Sequence, residues 1–288
     1  RRGLDSGWIH RNRRGTSTTY TMRRLANASR RRRSKKIRRV VSRGLVNTKS
    51  LNFDGTNDVA RWAANSTVPG LIGAGDFSIS WWVKKADFFP AGSGNSPILW
   101  SSLLFSGGIQ SFFITAYGDS SSGSLPGKIQ VQIGNGSSVN FLVLTSDNDL
   151  RSSVGDNTWH HCVLTSDAGA SSRTGKLYIN GSEVASTTSS NNVDFSGVNL
   201  GDIALGSVTF NAGSDTFFQA EIDELSMYNS ELSSSDVSAI YNSGVPADES
   251  SRSGLVGYWR MEDNGNDSSS NSNNLTITGA TFTDDVPS

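Results

Sequence analysis

Three groups of residues in this chain have the types and spacing to do chemistry. Glu221, Asp223 and Glu224 fall within one strand-length run, AEIDELSMY. Alternate residues of a strand share a face, so the sequence places Glu221 and Asp223 on one side and Glu224 on the other. Two carboxylates on one face are what acid/base cleavage of a glycosidic bond requires. The second group is cationic: Arg30, Arg31, Arg32, Arg33, Lys35, Lys36, Arg38 and Arg39 crowd into RRRRSKKIRR. Such a run can neutralise phosphates without reading their sequence, or dock on an acidic neighbouring subunit. The third group is aromatic. Trp62, Trp100 and Tyr117 stand in or near loop-rich stretches and offer an apolar face with a polar edge for a sugar, although core packing uses the same residue types.

Other chemistries are poorly provided for. His10, His160 and His161 are the only histidines, and the last two alternate across a strand, so neither a zinc site nor a Ser-His-Asp triad is expected. Cys162 is the single cysteine, which excludes an intrachain disulfide and any multi-cysteine metal site. No run approaches the roughly 20 apolar residues of a membrane span, and the first residues lack the apolar stretch of a signal peptide, so the ordinary secretory route is not expected. The zero net charge conceals a division: residues 1–50 hold 17 of the 26 Lys and Arg and one acid, Asp5. The first 50 residues thus carry +16 and the rest −16, a polarity that suits a polyanion partner at one end.

Strands dominate the elements that must position these groups. The 288 residues are rich in Gly, Ser, Asn and Thr, as many short strands joined by turns should be. FSISWWVK (77–84), KIQVQIG (128–134), VNFLVLTS (139–146), WHHCVLTS (159–166) and KLYINGSEVAST (176–187) are strand-length and bounded by turn residues. Asn180-Gly181 inside the last run predicts a two-residue type I′ hairpin. One short helix is expected in SSSDVSAIYNSG, with Val237, Ile240 and Tyr241 on its buried face. LVGYWRM (255–261) and NNLTITGATF (273–282) read as two further strands, too few to bury a core alone. They should pair into one sandwich spanning 49–288, preceded by a disordered basic arm over 1–48.

Several segments resemble the laminin-G-like, concanavalin A-like jelly rolls common in bacterial surface proteins and marine phage genomes. They are SLNFDGTND (50–58), FSISWWVK, NTWHHCVLT (157–165), GKLYINGSEVAS (175–186), DIALGS (202–207) and AEIDELSMYNSELSSSDVSAIYNSG (220–244). GLVGYWRMEDNGNDSSSNSNNLTITGATF also resembles the family, where such a segment ordinarily precedes the FDGTND strand. The resemblance therefore implies an all-β jelly-roll sandwich that is circularly permuted, with 255–288 supplying the displaced strands, or else an uncompleted second copy.

Related glucanases carry their carboxylates at alternate positions of one strand, and Leu225 falls where the second catalytic carboxylate would be needed. The resemblance thus implies a binding protein and not an enzyme. It also implies a structural calcium held by Asp223 with Asp267, Asn271 and nearby carbonyls, since hard cations take several oxygen ligands. Asp223 should then meet the 263–274 loop. The function expected is a virion structural protein, such as a capsid decoration, neck or tail component. Its jelly roll would recognise glycan or protein, and its arm would anchor it to other subunits or, through residues 23–43, to nucleic acid. Two alternatives remain: a carbohydrate-binding module of a bacterial surface protein, and a capsid jelly roll with a genome-binding arm. Each places the chain in a virion or at a cell surface, oligomeric or particle-bound.

Overall fold

The computed structural model describes residues 45–62, 75–91, 95–100, 112–117, 125–133, 142–169, 171–190, 203–210 and 214–288. Its first strands are β1 (Ser50–Asp54), β2 (Val59–Trp62), β3 (Phe77–Lys84), β4 (Asn95–Trp100), β5 (Phe112–Tyr117) and β6 (Ile129–Ile133). Then follow β7 (Leu142–Thr145), β8 (His160–Ala168), β9 (Arg173–Ile179), β10 (Ser182–Ser189), β11 (Ile203–Leu205), β12 (Ser207–Phe210) and β13 (Ser214–Phe217). The long β14 (Gln219–Tyr228) leads to helix α1 (Ser234–Tyr241), and β15 (Leu255–Trp259), β16 (Thr276–Thr278) and β17 (Thr281–Thr283) complete the chain.

Alternation along β3 shows how the layers arise. Phe77, Ile79, Trp81 and Val83 face the main core, whereas Ser78, Ser80 and Trp82 occupy the other face, as a period of two requires. Among the described residues, the main antiparallel sheet has the order β10-β9-β8-β3-β14-β1-β17, with β15 also on β14. Two smaller sheets, β4-β5-β6-β7 and β11-β2-β16, lie over its inner face. Ile114, Val131, Leu142 and Leu144 from the first, with Ala60, Trp62 and Leu205 from the second, join the β3 residues in one core.

The outer face of the main sheet is covered in part by α1. Ser233 caps the helix, its side chain accepting from Asp236 N while the Asp236 side chain accepts from the Ser233 backbone, so two orphan donors are satisfied. Val237 and Ile240 pack against Val163, Tyr178, Tyr228 and Leu232, each contributing about 1.5–3 kcal/mol by burial. The helix ends where Asn242 turns left-handed at φ 46°. The expected hairpin is present: Asn180 (φ 50°) and Gly181 (φ 78°) join β9 to β10. Tyr241 closes over the hairpin tip, and a Cβ on Gly181 would come within 2.9 Å of its ring.

The C-terminal segment pairs into the sandwich. β15 pairs with the second half of β14, β17 with β1 and β16 with β2. The architecture is a mostly β-sandwich with one short helix. No helix among the described residues is long and apolar enough to cross a membrane.

Candidate functional site

Strand β14 does not keep the alternation that its sequence implies. Opposite β3, Asp223 pairs with Trp82 and Ser226 with Ser80, so Glu224 and Leu225 together face Trp81. This is a β-bulge, and Glu224 adopts the left-handed conformation at φ 45° to make it. Ala220 and Ile222 point into the core before the bulge, Leu225 and Met227 after it. The expectation that Leu225 shares a face with Asp223 is therefore wrong. Ser226 takes that place, and the Glu224 side chain reaches the same outer face.

The carboxylates on this part of the strand, and Glu249 from the loop ahead of β15, are sealed. Asp223 is 0% exposed, Glu224 1% and Glu249 2%. Asp223 accepts from Asn47 Nδ2 (2.8 Å) and Glu224 N (2.9 Å). The Tyr258 hydroxyl donates to Glu224, and Arg260 Nε lies 3.4 Å from the same carboxylate. Glu249 accepts from Ser226 Oγ (2.8 Å) and from the Tyr228 hydroxyl. Loss of water pushes Glu224 up to about 8 and Glu249 up to about 7, and holds Asp223 well above the usual carboxylate range. The raised pKa values belong to groups that are hydrogen-bonded inside the protein. Arg260 also donates to Val46 O (2.6 Å), and Thr48 donates to Glu262 through its backbone (2.8 Å) and its hydroxyl (2.5 Å). Val46, Asn47 and Thr48 are thus fastened to the sandwich, although they fall inside the stretch expected to be free arm.

The expected calcium ligands are not gathered. Asp267 accepts from the backbone of Tyr258, Ser269 and Asn273 and from Ser269 Oγ, which organises its own loop. Asn271 donates through Nδ2 to the carbonyls of Leu255 (3.1 Å) and Val256 (3.0 Å). Asp267 bridges to Trp259 on one edge of β15 while β14 occupies the other, so a strand stands between Asp223 and the loop it was expected to meet. Asn47 takes the place beside Asp223 instead. These residues do not fit a shell of six to eight oxygens. Among the described residues, no group of three or more His, Cys, Asp or Glu could hold a metal ion.

At the opposite end of β14 the outer face is open. A cleft of about 80 Å³ lies between Asn52 of β1, Lys84 and Lys85 at the end of β3, Gln219 and Glu221 of β14, and Asn157 ahead of β8. Lys84 Nζ lies 3.4 Å from Glu221 Oε1 and also binds Asp285, whose other oxygen accepts from Trp159 Nε1 at 2.8 Å. Lys85 is 6% exposed. Its ammonium donates to Gln219 O at 2.7 Å and lies 5.5 Å from the centre of the Phe218 ring. Burial lowers Lys85 to about 8 and raises Glu221 above the usual carboxylate range. Glu221 Oε2 is shut off from water and has no hydrogen-bond partner. None of the cleft residues except Glu221 was singled out from sequence, although consecutive lysines closing an apolar strand are a usable signal.

Of the aromatic candidates, Trp62 is 4% exposed and packs on Trp259 with ring centres 5.7 Å apart. It is a core residue and no platform, because β2 turns its side chain inward between the sheets. Trp100 closes β4 and Tyr117 closes β5, with side chains outside the described residues. Arg30–Arg33, Lys35, Lys36, Arg38 and Arg39 also lie outside them. The histidines of β8 are structural: His160 bonds Gly155 O and Asn180, and His161 bonds Ser80 Oγ at 2.9 Å. Burial lowers His161 to about 3.

An antiparallel sandwich with one helix on its outer sheet is the architecture of a jelly-roll domain. Residues 54–238 match the concanavalin A-like lectin/glucanases superfamily, laminin G type, and the chain belongs to that family. Among solved structures it is similar to a Bacteroides ovatus protein named as a carbohydrate binder, with TM-score 0.59 and 17% identity over 84% of this chain and 62% of that one. The chain thus spans less than two thirds of that protein's length. It is also similar to the heptameric SAP-like pentraxin of Limulus polyphemus, with TM-score 0.53 and 14% identity over 82% of this chain and 94% of that one. No curated protein matches the chain in sequence.

Proposed function

We propose that this chain is a non-catalytic carbohydrate-binding domain of a surface protein. The observation that carries the reading is the sealing of the β14 carboxylates and their neighbour: Asp223 and Glu224 of β14, with Glu249 from the loop ahead of β15, are committed to Asn47, Tyr258, Arg260, Tyr228 and Ser226. A polymer cannot reach them, so the acid/base pair that glycoside cleavage needs is not on offer. Membership of a superfamily of lectins and glucanases then favours the lectin side, and the Bacteroides ovatus relative points the same way. The test is a glycan array with parallel incubation on laminarin, agar and alginate. Retention on at least one glycan, with no reducing ends above a heat-killed control, is expected. Turnover lost in Glu224→Gln would overturn the reading, as would failure to bind any glycan.

A second reading is favoured by the charge division, +16 in the first 50 residues against −16 in the rest. In it residues 1–48 anchor the domain in a virion, to a polyanion or an acidic subunit, and the sandwich faces outward. Because Val46, Asn47 and Thr48 are fastened to the sandwich, the cut that tests this falls before residue 45. Deleting residues 1–44 should leave a cooperative melt and abolish salt-sensitive binding to polyanions or particles. Salt-insensitive attachment would refute an electrostatic anchor.

A further inference from the structure

The cleft at the open end of β14 holds two kinds of unspent bonding capacity. Lys85 has three ammonium protons but, among the described residues, one hydrogen-bond acceptor, Gln219 O, with the Phe218 ring on another side and the Asp87 charge nearby. Glu221 Oε2 has no donor at all, and the last torsion of a glutamate is broad and soft, so the oxygen can turn toward the cleft at little cost. Glu221 and Lys85 both line this cleft, and with Oε2 turned outward their spare capacity defines what would complete them. The complement donates one hydrogen bond and accepts another at neighbouring positions.

Charge narrows the choice further. Lys84, Lys85, Glu221 and Asp285 carry two positive and two negative charges, Asp87 adds a further negative charge near Lys85, and Lys84 already bonds both Glu221 and Asp285. An anionic ligand would suit Lys85 and be repelled by Glu221, and a cationic one the reverse, each at close range. A hydroxyl pair meets neither penalty, because every hydroxyl is at once donor and acceptor. The amides of Asn52, Gln219 and Asn157 line the same space and bond hydroxyls in either sense. The volume of about 80 Å³ has room for several water-sized groups, which is the edge of one sugar ring.

We propose that this cleft binds a neutral sugar unit by two adjacent hydroxyls, one donating to Glu221 and one accepting from Lys85. The inference rests on the carbohydrate-binding reading and adds to it the place and the ligand class. Saturation-transfer NMR on the full chain with glucose, galactose, mannose, glucuronate and glucosamine tests it, together with the Glu221→Gln and Lys85→Met variants. At least one neutral sugar should bind more tightly than glucuronate and glucosamine, and both variants should weaken it tenfold or more with their folds intact by thermal melt. Glu221→Gln changes no volume and keeps the test valid should Lys85→Met disturb the fold. Glycan binding that both variants leave unchanged would overturn the cleft as the site while leaving the carbohydrate-binding reading intact. Preference for the charged sugars would overturn the ligand class. Absence of binding to every sugar and every arrayed glycan would overturn both.

Discussion

The two ends of β14 treat the same chemical group in opposite ways. At the bulge, Asp223 and Glu224 are buried under Asn47, Tyr258 and Arg260, and Glu249 under Ser226 and Tyr228. Before it, Glu221 is 22% exposed in its side chain and shares a cleft with two lysines. The sealed end has its hydrogen bonds made internally and serves the fold. The open end keeps donors and acceptors in reserve, which is the property of a binding surface. A carboxylate's position on a strand therefore says little about its role until the groups that cover it are known.

The sharpest way to break this contrast is to empty one carboxylate at each end. Glu249→Ala strands the Tyr228 and Ser226 hydroxyls in the interior and should cost about 3 kcal/mol, a fall in Tm on the order of 6–12 °C. A loss under about 1 kcal/mol in urea titration would mean that the sealed cluster does not support the fold.

Titration should separate the ends by sign. Glu224 and Glu249 bind protons more tightly folded than unfolded, with an ordinary value of 4.5 and folded values of about 8 and about 7. The stability they contribute is complete below the unfolded value and is lost as pH rises through 7 to 8. Lys85, lowered from 10.5 to about 8, releases its proton more readily in the folded state. Its contribution grows as pH rises from about 8 toward 10.5. Urea midpoints should fall between pH 5.5 and 8, by a few kcal/mol at most, and Glu224→Gln with Glu249→Gln should flatten that fall. Lys85→Met should remove the later rise alone. A midpoint that climbs between pH 5.5 and 8 would contradict the burial assigned to the two glutamates.

Smaller effects sharpen the picture. Asn47→Ala leaves Asp223 with the Glu224 amide as its remaining partner and should cost about 1–2 kcal/mol, read as an earlier unfolding midpoint. At the open end, Glu221→Gln breaks only a partly exposed ion pair with Lys84 and should shift stability by less than about 1 kcal/mol. If Glu221→Gln proved as costly as Asn47→Ala, the cleft would be part of the scaffold.

Local signals in the chain carried a large share of the architecture. Asn180-Gly181 specified its hairpin because few residue pairs accept two positive φ angles. Val237, Ile240 and Tyr241 at helical spacing marked α1, and the strand-poor tail at 255–288 had to join the sandwich because two strands cannot bury a core. The site was less legible. Strict alternation put Leu225 on the face of Asp223 and Glu224 on the other, and one inserted residue reversed both placements. No local pattern announces that insertion, since the bulge is a compromise between β14 and its neighbour β3. Trp62 likewise carries no mark of its burial, because an aromatic residue suits a core and a platform equally.

Composition, periodicity and turn chemistry by themselves determined a β-rich sandwich with one capped helix, a cationic beginning and an acidic remainder, since these follow from interactions within a few residues or from summed charge. Only the tertiary structure decided which carboxylates are sealed and which line the cleft. It also decided that Asp267 and Asn271 serve their own loop, and that Asn47, far away in sequence, covers Asp223. Each of those outcomes depends on what a distant segment places over a side chain, and burial by a distant segment is the one property that spacing along a chain does not encode.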